Sequence, residues 1–360
     1  MALPPNELTP GKIILLGSGE TAPAARRIYE WLFKQLDAPV NVAILETPAG
    51  FEPNSDAVAG QVGAYIEKRM QNYRPRVSIV PARKRGTPFS PDDPEIAAPV
   101  CAADVIFMGP GSPTYATRQL RDSYIWDLLR ARHHLGASLI FSSAATLACS
   151  VQTLPVYEIY KVGEDLHWKP GLNFFGDYGL SLVFIPHWNN MDGGDSLDTS
   201  RCYMGKARYD ALCDLLPADV QHAAALLGID ENTALVIDPA EASCRVLGQG
   251  AVSITRAGQE ESINSGSTFS IDALGPFKLP APDSLLPDSL YQQIIQHQHR
   301  QQEATNSPAV PPPEVLALVE QRTAARANKE WDEADRLRDA IAQTGWQLMD
   351  TPDGPNLEPL

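Results

Sequence analysis

GASLIFSSAATLAC, residues 136–149, changes character at its middle. A short apolar run, Leu139-Ile140-Phe141, stops at Ser142-Ser143 and gives way to alanine-rich, helix-favouring sequence. Strand, tight turn carrying a hydroxyl, then helix is the layout of a nucleophile elbow. Such a turn lifts one side chain above the sheet. It also leaves the next backbone N–H, at the helix N-terminus, free to stabilise an oxyanion. Ser143 is the expected nucleophile, with Ser142 in reserve. The competing reading is an ordinary strand–helix unit whose serines cap the helix.

Outward from this stretch the pattern repeats. Lys12 to Leu16 (KIILL) runs into Gly17-Ser18-Gly19-Glu20, Asn41 to Leu45 into Glu46-Thr47-Pro48, and Asp104 to Met108 (DVIFM) into GPGSPTY. Arg76 to Val80 is another strand, and Leu180 to Ile185 (LSLVFI) ends at Pro186-His187-Trp188-Asn189-Asn190. Helical spacing fills Ala24 to Leu36, Ser55 to about Asn72, the stretch from Tyr115 to Leu135, and Arg201 to Leu216. Strands alternating with helices predict a mainly parallel sheet with helices on both faces. In such sheets functional groups gather at the carboxyl ends of the strands, where all of these turns lie. His187 directly follows a buried strand and is placed to act as a base, against the plainer reading of a loop-bonding histidine. The first glycine-rich turn fits neither the dinucleotide nor the Walker spacing, and Glu20 would repel an anion; it is expected to line a pocket. Ala82 to Pro99 reads as loop, Val151 to Gly176 as an aromatic-rich lid or pocket wall, and Val246 to Ile271 as an antiparallel hairpin at the sheet edge.

Composition narrows the function. The formal charge of −15 over 360 residues argues against a general nucleic-acid or membrane-surface binder, because no chain-wide basic field exists to draw phosphates. No apolar run approaches the length of a membrane span, and MALPPNELTPGK lacks the regions of a signal peptide. The five cysteines are scattered without CxxC pairs or a histidine at ligand spacing. Reduced thiols in a cytoplasmic setting, with no metal or cofactor, are the expectation.

GPGSPTY, SSAAT, PHW and GIDENTALVID, in this order, resemble the S51 peptidase family of cyanophycinases and aspartyl dipeptidases. The resemblance spans roughly Gly11 to Ile271. It implies a class I glutamine amidotransferase-like α/β fold and a serine hydrolase acting, without metal, on small acidic peptides or isopeptide-like bonds. Ser143 falls on the family's nucleophile, His187 on its base and Glu231 on its orienting acid, with Glu158 and Glu164 in reserve for the acid. Gly111 and Ala144 fall on the two N–H groups of the oxyanion hole; Pro110 has no N–H to offer. Glu20, Ser112 and Arg208 are expected at the substrate, and Arg118, Lys161 and Arg201 join Arg208 as candidate cations for an acidic one. Phe141 and Ala145 stand where the family elbow has glycines, and Thr146 where it has alanine. Either the strand turns the Phe141 ring elsewhere, or the chain is a catalytically impaired binding protein. Cys149 does not complete a Gly-x-Cys-x-Gly motif, so glutaminase chemistry is disfavoured.

Beyond the α/β domain (residues 1–272), the composition turns rich in Pro, Gln and Ser and predicts a linker over 273–313, with Leu290, Ile294 and Ile295 as its one apolar stripe. Residues 314–360 read as a small helical hairpin, with Val315, Leu318 and Val319 on one stripe and Trp331, Ala334, Leu337 and Ile341 on the other. The run RTAARANKEWDEADRLRDAIAQTGWQLMDTPDGP is similar to the C-terminal module of cysteinyl-tRNA synthetases. No HIGH or KMSKS signature accompanies it, so aminoacylation is unsupported. The partners expected are a small peptide-like substrate, tRNA or a protein at this hairpin, and a second copy of the chain; no membrane is expected.

Overall fold

Strand residues alternate between two apolar cores, and this alternation builds the larger unit. In β1 (Ile13–Leu16), Ile13 and Leu15 face one core while Ile14 and Leu16 face the other. β2 (Asn41–Leu45), β4 (Val105–Met108) and β5 (Ser138–Ser142) divide their residues the same way, and β3 (Arg76–Val80) closes the edge. The helices Pro23–Phe33 and Ser55–Arg69 cover one face of this sheet. Pro94–Ala102 and Tyr124–His134 cover the other.

This computed structural model describes residues 8–281, 286–306, 311–351 and 354–359, which divide into one unit up to Gln298 and a second from His299. The main sheet has the order β14 (Thr268–Ser270), β11 (Ser243–Gly248), β10 (Thr233–Asp238), β1, β5, β4, β2, β3. Its five N-terminal strands run parallel, with Leu16 beside Ser142 and Leu45 beside Met108. The mainly parallel sheet covered by helices is the architecture expected.

Several elements differ from the expectation. The segment after the elbow holds two short strands, β6 (Gln152–Thr153) and β7 (Lys169–Pro170), and a wide helical turn at Glu158–Val162. β8 (Leu182–Ile185) and β9 (Ala225–Ile229) leave the main sheet. They form a second one with β12 (Ala251–Arg256) and β13 (Gln259–Asn264). Leu182 and Phe184 still pack into the first unit's core, while Val183 and Ile185 serve a third core with Tyr209 and Leu212. β10 (Thr233–Asp238), β11 (Ser243–Gly248) and β14 (Thr268–Ser270) extend the main sheet antiparallel beyond β1. The expected edge hairpin is therefore shared between two sheets. Pro94–Ala102 is helical where a loop was expected, capped by Asp93 accepting from the Glu95 N–H. The helix expected to run to Leu135 breaks near Asp122, whose φ is 55°, and Ser123 caps the next one.

Within the stretch read as linker, Asp288–Asn306 is α-helical. Leu290, Tyr291 and Ile294 are buried in the first unit, and the Tyr291 hydroxyl lies 2.8 Å from His134 Nδ1. The second unit has the two expected helices, Pro313–Ala327 and Trp331–Gln343. It adds an antiparallel pair the sequence reading lacked, β15 (Trp346–Thr351) and β16 (Gly354–Pro359). Val315, Ile341, Trp346 and Leu348 form its small core. No helix among the described residues is long and apolar enough to cross a membrane.

Candidate active site

Ser143 leaves β5 with φ 51° and ψ −107°, a backbone conformation that a residue with a Cβ adopts only at a cost. Three tethers hold it. The Ser143 N–H donates to the Leu16 carbonyl (3.2 Å), and the Thr146 hydroxyl contacts the carbonyls of Leu16 (3.0 Å) and Phe141 (2.9 Å). The Ser142 hydroxyl donates to Glu20 Oε2 (2.8 Å). Ser142 and Glu20 thus hold each other beneath the turn, and Ser143 alone is presented above it.

Phe141 does not fill the space above the elbow. It still obeys strand alternation, so its fully buried ring points into the core and meets Phe174 edge-on at 5.7 Å. The cavity over Ser143, about 290 Å³, is lined by Gly111, Ala144 and His187 among others, and Phe141 is not one of them.

His187 follows β8 with φ 51°; its N–H donates to the Gly17 carbonyl at 3.2 Å. Its Nε2 lies 2.9 Å from Ser143 Oγ and its Nδ1 2.7 Å from Glu231 Oε1. A hydrogen bond from His187, aided by one from Asn190 and opposed by partial burial, holds the Glu231 carboxyl below its usual range. An ionised carboxylate can only accept, so Nδ1 carries the proton and Nε2 is left to accept from Ser143. Two neighbours that the sequence reading missed fix Glu231. Asn190, 2% exposed, donates to Oε1 at 3.0 Å, and Asn189 Oδ1 accepts from the Glu231 N–H at 2.8 Å. Their place straight after Pro-His-Trp was the available signal.

Gly111 and Ala144 both line the cavity, and no acceptor among the described residues takes either N–H. Gly111 has φ 144°, and a Cβ there would collide with the Pro48 backbone, so only glycine fits this turn. Ser112, 7% exposed, instead caps the helix Pro113–Leu120 by accepting from the Tyr115 N–H. Arg208 donates to the carbonyls of Met204 and Tyr203, and Glu20 is engaged by Ser142. None of these three lines the cavity, because each is drawn into local hydrogen bonds instead. Arg118 lies over the Tyr115 ring and Arg201 over Trp188, so Lys161 alone of the candidate cations reaches the cavity. Of the reserve acids, Glu158 accepts from Thr114 at 2.5 Å and Glu164 lies near His167, both away from His187. Cys149 is buried, which pushes its thiol well up and leaves it unreactive. Among the described residues no cluster of three or more His, Cys, Asp or Glu could hold a metal ion.

A peptidase from an acI-B1 Actinobacterium superposes with TM-score 0.57 and 24% identity, over 74% of this chain and 98% of that one. Residues 310–354 match the family described as cysteinyl-tRNA ligase anticodon binding domain. Cysteine–tRNA ligase 1 of Burkholderia lata is 48% identical over 46 residues, 13% of this chain and 10% of the ligase. That of Chlamydia trachomatis is 53% identical over 49 residues, 14% of this chain and 10% of the ligase. The chain thus spans about a tenth of the length of the curated relatives it matches. It combines an α/β unit with the fold of a known peptidase and a C-terminal segment similar to the anticodon-binding end of cysteinyl-tRNA ligases.

Proposed function

We propose that the first unit is a serine hydrolase that cleaves an amide bond in a small peptide or isopeptide-like substrate. The observation that carries this reading is the unbroken relay from Ser143 through His187 to Glu231, facing a cavity with two amides that no acceptor among the described residues takes. A serine hydroxyl is a weak nucleophile until an imidazole takes its proton. In this scheme Ser143 Oγ attacks the carbonyl carbon and its proton passes to His187 Nε2. Glu231 stabilises the imidazolium at Nδ1, and the oxyanion is held by the N–H groups of Gly111 and Ala144. The imidazolium then protonates the departing amine. Water repeats the sequence on the acyl-enzyme, returning Ser143 free. A fluorophosphonate probe tests the scheme. It is expected to label Ser143 in the wild type and to leave Ser143→Ala unlabelled; an unlabelled wild type would remove the hydrolase reading.

For the second unit, the similarity to an anticodon-binding domain supports contact with tRNA. Arg322 and Arg326 are both engaged by Asp350, and Arg336 by Glu333. Trp331, 58% exposed, offers a stacking face. In the full-length chain, Trp331→Ala is expected to weaken tRNA binding about tenfold, as loss of one stacked base would. Binding by both proteins should fall with rising salt. Equal affinity of the two proteins would count against this contact.

A further inference from the structure

Resting on the hydrolase reading, we propose that the cavity selects a substrate whose side chain beside the scissile bond is uncharged and either aromatic or branched apolar. The wall beyond the relay is made by Leu147, Val156, Tyr157, Tyr160, Cys202 and Tyr203. Cys202 is 2% exposed, and burial drives its thiol far above its usual range, so it presents a small apolar surface. Tyr203 packs on His187 with ring centroids 5.5 Å apart, and Tyr160 packs on Tyr203 at 5.4 Å. An aromatic file therefore leads outward from the base. A substrate ring can continue it in the offset or tilted geometry that aromatic pairs favour.

The backbone under this file is under strain. Arg201, Cys202 and Tyr203 have φ of 55°, 57° and 68°, three consecutive left-handed residues with no glycine among them. Strain of this kind persists only where the surroundings over-determine it, and it is commonest at ligand sites. Here it turns the Tyr203 ring against the imidazole.

The charges at the cavity disfavour an acidic side chain. Among the described residues Lys161 is the only lysine or arginine lining it, and its ammonium stands 4.9 Å from the centre of the Tyr157 ring, engaged with the ring face. Glu52 is within electrostatic reach of Tyr157, and Asp192 and Glu231 of Tyr203, whose hydroxyl is pushed up to about 12, mainly by burial; none of the three acids lines the cavity itself. A substrate carboxylate would lose its water against apolar side chains and lie near the ionised Glu231 behind His187. A neutral ring or branched chain meets neither penalty.

Dipeptides carrying Phe, Leu, Asp or Lys at either position, assayed with the full-length chain, decide the matter, with fluorophosphonate labelling of Ser143 run in parallel. The expected result is a kcat/KM for a Phe or Leu dipeptide about tenfold or more above every Asp or Lys dipeptide. Tyr160→Ala should raise KM for the preferred dipeptide several-fold, with kcat changed less than KM; an unchanged KM would count against the specificity. Fastest cleavage of an Asp or Lys dipeptide, equal rates across the panel, or labelling without any turnover would overturn the specificity and leave the hydrolase reading standing. A chain that is not labelled at all overturns both.

Discussion

Glu231 Oε1 receives two donors, the His187 imidazole at 2.7 Å and the Asn190 amide at 3.0 Å. Asn190→Ala leaves the imidazole to hold the carboxylate alone. The expected loss is about 1 kcal/mol, or five- to tenfold in kcat/KM with KM little changed, measured by steady-state kinetics. Glu231→Gln cannot stabilise an imidazolium, and kcat should fall about 10³-fold or more. The pH dependence of stability follows from the depressed carboxyl. Because its folded value lies below the ordinary 4.5, its contribution is fully present above pH 4.5 and is lost as pH falls through the folded value. The Tm difference between wild type and Glu231→Gln should stay level from pH 8 to about 5 and shrink at lower pH.

At the scale of elements, the elbow is held from below. Phe141 and Phe174 meet edge to face under the turn, and Thr146 ties the short helix Ala144–Ala148 to β1 and β5. Phe141→Ala should cost about 3–5 kcal/mol by chemical denaturation, as expected for a buried ring. The protein that remains folded should still label at Ser143, because the ring lies outside the cavity; loss of labelling with the fold intact would contradict this placement. The first turns of the helix Asp288–Asn306 belong to the first core through Ile294, fully buried, and Tyr291, which bonds His134. Ile294→Ala should lower the stability of the first unit by about 2–4 kcal/mol, read as a drop in its Tm.

For the whole molecule, the two units rest on cores of very different size. Among its described residues the second has only a few buried side chains, joined by the ion pairs of Asp350 with Arg322 (2.9 Å) and Arg326. Arg322 is 5% exposed, so losing its partner strands a buried guanidinium. Asp350→Ala should destabilise this unit by about 2 kcal/mol, seen as faster amide exchange over 313–343. Ser143 labelling should be unaffected.

The sequence alone determined the alternation of strand and helix, because buried parallel strands need unbroken apolar runs and each turn needs its own breaking residues. KIILL, DVIFM and LIFSS were legible for that reason, and so was the gathering of Ser143 and His187 at strand ends. Long-range packing sets the departure of β8 and β9 from the main sheet, since a continuous apolar strand looks the same in either sheet. The stretch 151–176, read as a pocket wall, does supply Val156, Tyr157 and Tyr160 to the cavity. Cys202 and Tyr203 on that wall, and the bond from Asn190 to Glu231, depend on distances between residues remote in the chain, which the local pattern hints at through position alone. Arg208 and Ser112 show the converse: a polar side chain near a site is taken by the nearest unsatisfied backbone group, and composition cannot say which group is nearest.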